Sequence, residues 1–236
     1  MNPLPFFYNE FLWRPIFNGL VWLYEVVPGH DLGIAIIVLT IVIRIVLAPL
    51  MWKAQKSQKE LARIQPEIKK IQEQHKNNKE AQGRAMMELY QRHRLNPFSG
   101  CLVMLIQLPI LLALFSVFRQ GFDPKLLTNL YSFVPHPGAL EPVAFGVLNL
   151  STGNMYLGAL AAITQFFQTK LMLPSSPPTG QGDFAKAFQW QTLYVFPALI
   201  LLWSYSLPAA LTLYWTVLNV FGIVQELIMN RIKVKR

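Results

Sequence analysis

The stretch "LTIVIRIVLAPL", Leu39 to Leu50, sets Arg44 inside a run of Ile, Val and Leu. Extended outward, Leu32 to Trp52 contains thirteen Ile, Val or Leu residues, and as a helix it is long enough to cross about 30 Å of hydrocarbon. Each aliphatic residue favours insertion by roughly 0.3 to 0.6 kcal/mol at best, against a cost of roughly 2.5 to 3.5 kcal/mol for a central arginine. The segment therefore inserts, and the open matter is where its charge resides. Three answers compete. The side chain snorkels toward the cytoplasmic end near Trp52; it pairs with Glu226, the one carboxylate near the inner end of an apolar segment; or it faces water in a cavity entered from the cytoplasm. Steps of three and four give Gly33, Ile37, Thr40, Arg44, Ala48 and Met51 on one side, with small and polar members, whereas Ile36, Leu39, Ile43 and Val46 are oily. That pattern favours the cavity.

The bulk composition agrees with a membrane protein. Hydrophobic residues make up 53% and charged residues only 14% of 236 positions, and the mean hydropathy is +0.33; a soluble domain carries roughly a quarter charged positions. Five apolar segments emerge: Leu32 to Trp52, Cys101 to Phe118, Met155 to Leu173, Gln191 to Leu207 and Ala209 to Met229. They lack the alternation of barrel strands, so unpaired backbone groups in lipid force them to be helices. The expected class is all-α and polytopic, with five transmembrane helices and a cytoplasmic helical hairpin. The last two segments are joined only by "SLPAA", which predicts a tight antiparallel pair.

Charge gives the orientation. Lys53 to Arg94 holds eleven Lys or Arg against five Glu, and the third loop and the tail bring that side to seventeen cations; the other side has Arg14, Arg119 and Lys125. The positive-inside rule puts the N-terminus outside and the C-terminus in the cytoplasm. Because topology accounts for the basic balance, no specific nucleic-acid binding is expected. Residues 1–30 read as an external amphipathic segment lying in the interface and not as a cleaved signal peptide, since Arg14, Pro15, Asn18 and Glu25 interrupt the apolar run. Residues 31–52 and 96–229 read as the membrane core, and 230–236 as a short basic cytoplasmic tail.

Residues 53–95 read as a cytoplasmic hairpin. Leu61, Ile64, Ile68 and Ile71 form a helical stripe, and Ala85, Met86, Leu89 and Tyr90 a second, with turn residues in "HKNNKEAQG" between them. Pro66 should kink or restart the first arm, and pairs such as Glu67 with Lys70 and Glu60 with Lys56 should lie on its wet side. The alternative is a solvated connector with no binding role. "LPSSPPTGQGD", Leu173 to Asp183, reads as a flexible linker.

No phosphate-binding loop, zinc-protease spacing or intramembrane serine–histidine pair occurs, and Cys101 is alone. Neither enzymatic turnover nor a cofactor or metal is expected. Polar side chains in other segments, among them Gln107, Thr164, Gln165, Gln168, Thr212, Thr216 and Asn219, could line a groove with Arg44; taken singly, each is more often an interhelical hydrogen bond.

Four stretches together carry a family likeness: "LTIVIRIVLAPL" followed by the lysine- and glutamine-rich hairpin, "NPFSGCLVMLIQLPILLALF", "TQFFQTKL" and "LPAALTLYWTVLNVFGIVQ". The sequence resembles the YidC/Oxa/Alb insertases from about Asp31 to the tail, in the form with a five-span core and no large periplasmic domain. The resemblance implies a bacterial plasma-membrane protein that inserts, and acts as chaperone to, other membrane proteins through a hydrophilic groove open to the cytoplasm and to lipid. It implies that Arg44, Thr40, Gln165, Gln168, Tyr214, Trp215 and Asn219 form the substrate groove. Trp215 stands where some relatives have a second tyrosine, so no phenol hydroxyl acts there. The implied partners are nascent membrane proteins and the bilayer, with the Sec translocon and the ribosome as further candidates. The main alternative is a small channel or carrier with a polar path through the membrane.

Overall fold

The computed structural model describes residues 3–95, 99–119, 124–173 and 187–234. It is mainly helical. α1 (Pro3–Tyr8) passes through a π turn, Asn9–Trp13, into α2 (Arg14–Val26); α3 (Leu32–Arg63), α4 (Gln65–Gln74), α5 (Lys79–Arg92) and α6 (Ser99–Arg119) follow. After a connection to Asn154 come α7 (Met155–Met172), a second π turn at Gln191–Val195, α8 (Phe196–Trp203) and α9 (Ala209–Val234). The Cys101 side chain, Asn96 to Phe98, the linker after Leu173, and Lys186, Lys235 and Arg236 lie outside the described residues.

α3 starts where Asp31 caps it, its Oδ1 accepting from the Ile34 amide at 3.0 Å. It then continues for 32 residues, past Pro49 and through the polar stretch after Trp52. At about 1.5 Å per residue that is about 48 Å, well beyond the hydrocarbon thickness. The apolar segment and the start of the hairpin are thus one rod, because Lys, Gln, Ala and Glu are good helix formers and nothing between Trp52 and Arg63 stops the helix. The break comes at Ile64 (φ −85°, ψ 4°), with Pro66 in the first turn of α4, where a missing amide donor costs nothing.

α4 and α5 fold back on each other around buried Ile64, Ile68 and Leu89, flanked by Leu61, Ile71, Met86 and Tyr90. Burial there pushes the Tyr90 phenol pKa up. The surface pairs differ from the expected ones: Glu60 bonds Arg63 at 3.0 Å, and Glu67 faces His93 of the other arm at 3.5 Å.

Among the described residues, Leu32–Arg63 and Ala209–Arg231 are long and apolar enough to cross a membrane, while Ile106–Arg119 and Ala187–Trp203 are shorter apolar helices. The outward faces are nonetheless oily: Val42, Ile45 and Val46 on α3, Ile163 and Phe167 on α7, and Val224 and Leu227 on α9 are all exposed. A contiguous exposed face of this kind fits lipid rather than water.

The main core lies at one end of the bundle. Phe17, Leu20 and Val21 of α2 meet Leu32, Ala35 and Ile36 of α3, Ala113, Leu114 and Val117 of α6, and Ala209, Ala210 and Tyr214 of α9. Into this core the connection before α7 inserts Leu126, Leu127, Val134, Leu140, Ala144 and Leu150. That connection carries a 3-10 turn, Pro124–Asn129, and a two-residue antiparallel pair, Val143–Ala144 with Leu148–Asn149.

α8 and α9 follow one another across a short turn, but each packs mainly on α7 and less on the other. α7 packs against both, and Gly158 lets it approach so closely that a Cβ there would collide with Ser204 at the end of α8. Small residues at helix crossings permit such approach. A ring contact between Phe196 and Trp215, 5.7 Å between centroids, links α8 to α9. The short turn makes the two helices successive, but the packing surface of α7 makes them partners of a third.

Candidate functional site

Arg44 sits in the middle of the bundle, 8% exposed, on the apolar part of α3. Among the described residues it has no ion-pair or hydrogen-bond partner, and its Nε is buried without an acceptor. Pairing with Glu226 does not occur. Glu226, 1% exposed, is held in an ion pair by Lys59. Lys59 lies fifteen residues beyond Arg44, about 22 Å along the same helix, so the carboxylate is at a different depth.

Tyr214 lies close enough to Arg44 to interact with it electrostatically. Tyr214 is 1% exposed, and its hydroxyl accepts from Gln107 Nε2 at 2.5 Å, which ties α9 to α6. Thr40, one turn before Arg44, is buried and donates its hydroxyl proton to the Ile36 carbonyl of its own helix at 2.6 Å. This back-bond satisfies the threonine without an interhelical partner.

The other expected groove residues lie on α7 and α9. Asn219 Nδ2 donates to the Ala161 carbonyl and to Thr164 Oγ1, both at 3.3 Å, while its Oδ1 is buried without a partner among the described residues. Gln165 Nε2 donates to Thr169 Oγ1 at 3.0 Å. Gln168 lies flat against Gly222, where any Cβ would strike its amide. Trp215 reaches α8 through Phe196. The structure therefore brings Arg44 and Tyr214 together and sets Asn219 and Gln168 at the α7–α9 interface, while Gln165 bonds within α7.

A third polar group was not anticipated from the sequence. Gln225 Nε2 donates to Gln55 Oε1 at 3.1 Å, and Lys59 Nζ bonds Asn230 Oδ1 at 2.7 Å besides its pair with Glu226. All but Gln225 border a cavity of about 560 Å³ whose walls include Gln55, Lys59, Gln65, Thr169, Glu226 and Asn230 together with Leu61 and Met172. Arg44 is not among its lining residues. The signal for this group was present: Gln55 and Lys59, and Glu226 and Asn230, are each four apart and so share a helix face. Among the described residues, no cluster of His, Cys, Asp or Glu could hold a metal ion.

The opposite end is closed by backbone pairing as well as by the core. The amides of Ala209 and Ala210 donate to the carbonyls of Thr152 and Leu150 at 2.9 and 3.0 Å, and the Asn154 amide donates to Ser204 at 3.0 Å. Arg14 Nε donates to the Asn129 carbonyl at 3.1 Å. Asp31 Oδ2 accepts from the Phe145 amide, and the backbone at Gly33 lies so near Ala144 that a side chain there would not fit.

Comparison with known proteins supplies the affiliation. The family described as 60Kd inner membrane protein matches residues 22–236. A protein of Fusobacterium nucleatum named membrane protein insertase YidC is 37% identical over 196 residues, covering 83% of this chain and 84% of that one. A Bacillus anthracis protein named membrane protein insertase YidC 2 is 32% identical, over 97% of this chain and 83% of its own length. A Caulobacter vibrioides relative, also named membrane protein insertase YidC, is 32% identical over 96% of this chain, but this chain spans only 37% of its length. With this breadth of match, the chain belongs to the 60Kd inner membrane protein family, that of the YidC/Oxa insertases.

Proposed function

We propose that this chain is a membrane protein insertase of the bacterial inner membrane, passing nascent membrane proteins from the cytoplasm into lipid without covalent chemistry. The observation that carries the reading is Arg44: a buried cation with no carboxylate among the described residues, while the one acidic candidate is committed to Lys59. A buried charge that the fold does not compensate is costly, and intramembrane charges of this kind mark a path for something that compensates them in passing. An acidic or polar substrate segment fits that role.

In this reading the chain crosses the membrane five times, with the N-terminus outside and the hairpin and C-terminus in the cytoplasm. The hairpin of α4 and α5 meets the substrate first. The cavity beside Gln55 and Glu226 is the vestibule, and Arg44, about 16 Å back along α3 from Gln55, draws the polar segment inward. Thr40, Tyr214, Trp215, Gln165, Gln168 and Asn219 form the remainder of the proposed groove. The substrate's apolar stretch meanwhile slides along the oily faces of α7 and α9 into lipid, and hydrophobic partitioning drives the net transfer. A weakened dielectric around Arg44 strengthens its pull, and the membrane potential helps carry negative charge outward. Contacts with the ribosome or the Sec translocon rest on the family resemblance alone.

The test is insertion by the purified chain in proteoliposomes, using a substrate with an acidic translocated segment and one with a neutral segment. Replacing one charge-assisted contact should lower the rate about tenfold for Arg44→Ala on the acidic substrate. Arg44→Lys should keep most activity, and the neutral substrate should be little affected. Full activity of Arg44→Ala on the acidic substrate would overturn the charge mechanism; loss with lysine as well would replace it by one needing guanidinium geometry.

A further inference from the structure

At the closed end, the π turn Asn9–Trp13 interrupts the N-terminal helix. Such turns shift side chains out of helical register and recur at functional sites. Here the turn supplies Asn9, Glu10 and Trp13 to a polar cavity of about 330 Å³, completed by Arg14 and Asn129 among others. Arg14 Nη1 bonds Glu10 Oε2 at 3.1 Å, and both side chains keep about a third of their surface open, 33% and 39%. The Arg14 guanidinium also lies over the Tyr131 ring, 4.8 Å from its centroid, which fixes its plane. Trp13 is 9% exposed, and its indole Nε1 is a buried donor without a partner among the described residues. Phe6, Phe7 and Phe11 of the same helix are exposed, the pattern of an element lying at a lipid surface.

We propose that this cavity binds a zwitterionic phospholipid headgroup of the phosphoethanolamine type. The phosphate takes the Arg14 guanidinium, and the primary ammonium takes the Glu10 carboxylate. A planar guanidinium suits phosphate, and a carboxylate one helical turn away suits a cation two carbons from it. A purely anionic headgroup meets the same Arg14 but is repelled by Glu10. A choline headgroup has the positive charge but no N–H to donate. The inference rests on the membrane reading of the chain and is independent of how Arg44 acts.

Native mass spectrometry of the full chain, released from nanodiscs and titrated with phosphatidylethanolamine, phosphatidylglycerol or phosphatidylcholine of matched acyl chains, tests it. The ethanolamine lipid should be retained at about tenfold lower concentration than the other two, the size of one charge-assisted hydrogen bond. Glu10→Gln should erase the preference over phosphatidylglycerol with an unchanged melting temperature. Arg14→Lys should keep more of the binding than Arg14→Gln. Equal retention of all three lipids by the native chain, or an unchanged order in folded Glu10→Gln, would overturn the assignment.

Discussion

The two ends of the bundle are built from opposite chemistry. At one end, Leu126, Ala144 and Leu150 are driven into a core with Phe17, Leu32 and Ala209, and amides of α9 pair with the chain that covers them. At the other, α3 and α9 are joined by Gln55 with Gln225 and by Lys59 with Glu226, beside a cavity of about 560 Å³. Apolar packing closes a space to water, whereas amides and ions hold helices while tolerating it. Arg44 lies between the two, so the asymmetry decides from which side its charge can be approached.

The comparison can be broken at either end. Phe17→Ala should have the largest effect: an aromatic removed from a full core costs about 3 to 5 kcal/mol, read as a fall in melting temperature of the detergent-solubilised chain. A milder loss at this position would mean the closed end is loosely packed. Glu226→Ala leaves Lys59 at the open end with Asn230 but without its counter-charge. Since the lysine retains 23% exposure, the cost should be smaller, about 1 to 2 kcal/mol, and Glu226→Ala with Lys59→Met together should recover part of it. Asn219→Ala should do least, about 0.6 kcal/mol, the usual size of an interhelical hydrogen bond within a membrane bundle. A larger Asn219 effect than Glu226 effect would shift the weight of the open end to the α7–α9 interface.

Much of this was legible in the sequence. Thirteen branched or aliphatic residues around Arg44 announced α3, and the spacing of Leu61, Ile64, Ile68 and Ile71 announced the face that now packs in the hairpin. Local chemistry also placed the break at Pro66. Composition changes at Trp52, where the membrane segment was bounded, and backbone hydrogen bonds carry the same helix on to Arg63 whether side chains are apolar or charged. What was not legible was tertiary. The short turn after α8 implied pairing with α9, yet the close approach at Gly158 gives that surface to α7. In the candidate site, the cation itself was visible because arginine in an aliphatic run is costly. Tyr214 and Gln107 were named as candidates, the one from the family resemblance and the other from its place in an apolar segment, but their bond to each other was not legible, since they come from distant helices, and Lys59 was counted as part of the wet hairpin when it is the partner that holds Glu226.

The most direct measurement is the accessibility of a single cysteine at position 40, in a Cys101→Ser background, to a membrane-impermeant thiol reagent added from either side of inverted and right-side-out vesicles. The account predicts labelling of Thr40→Cys from the cytoplasmic side and protection from the outside, because the apolar end stays shut while the polar end admits water. Labelling from both sides would make the path a pore, and protection from both would leave Arg44 sealed and the insertion mechanism without its attracting charge.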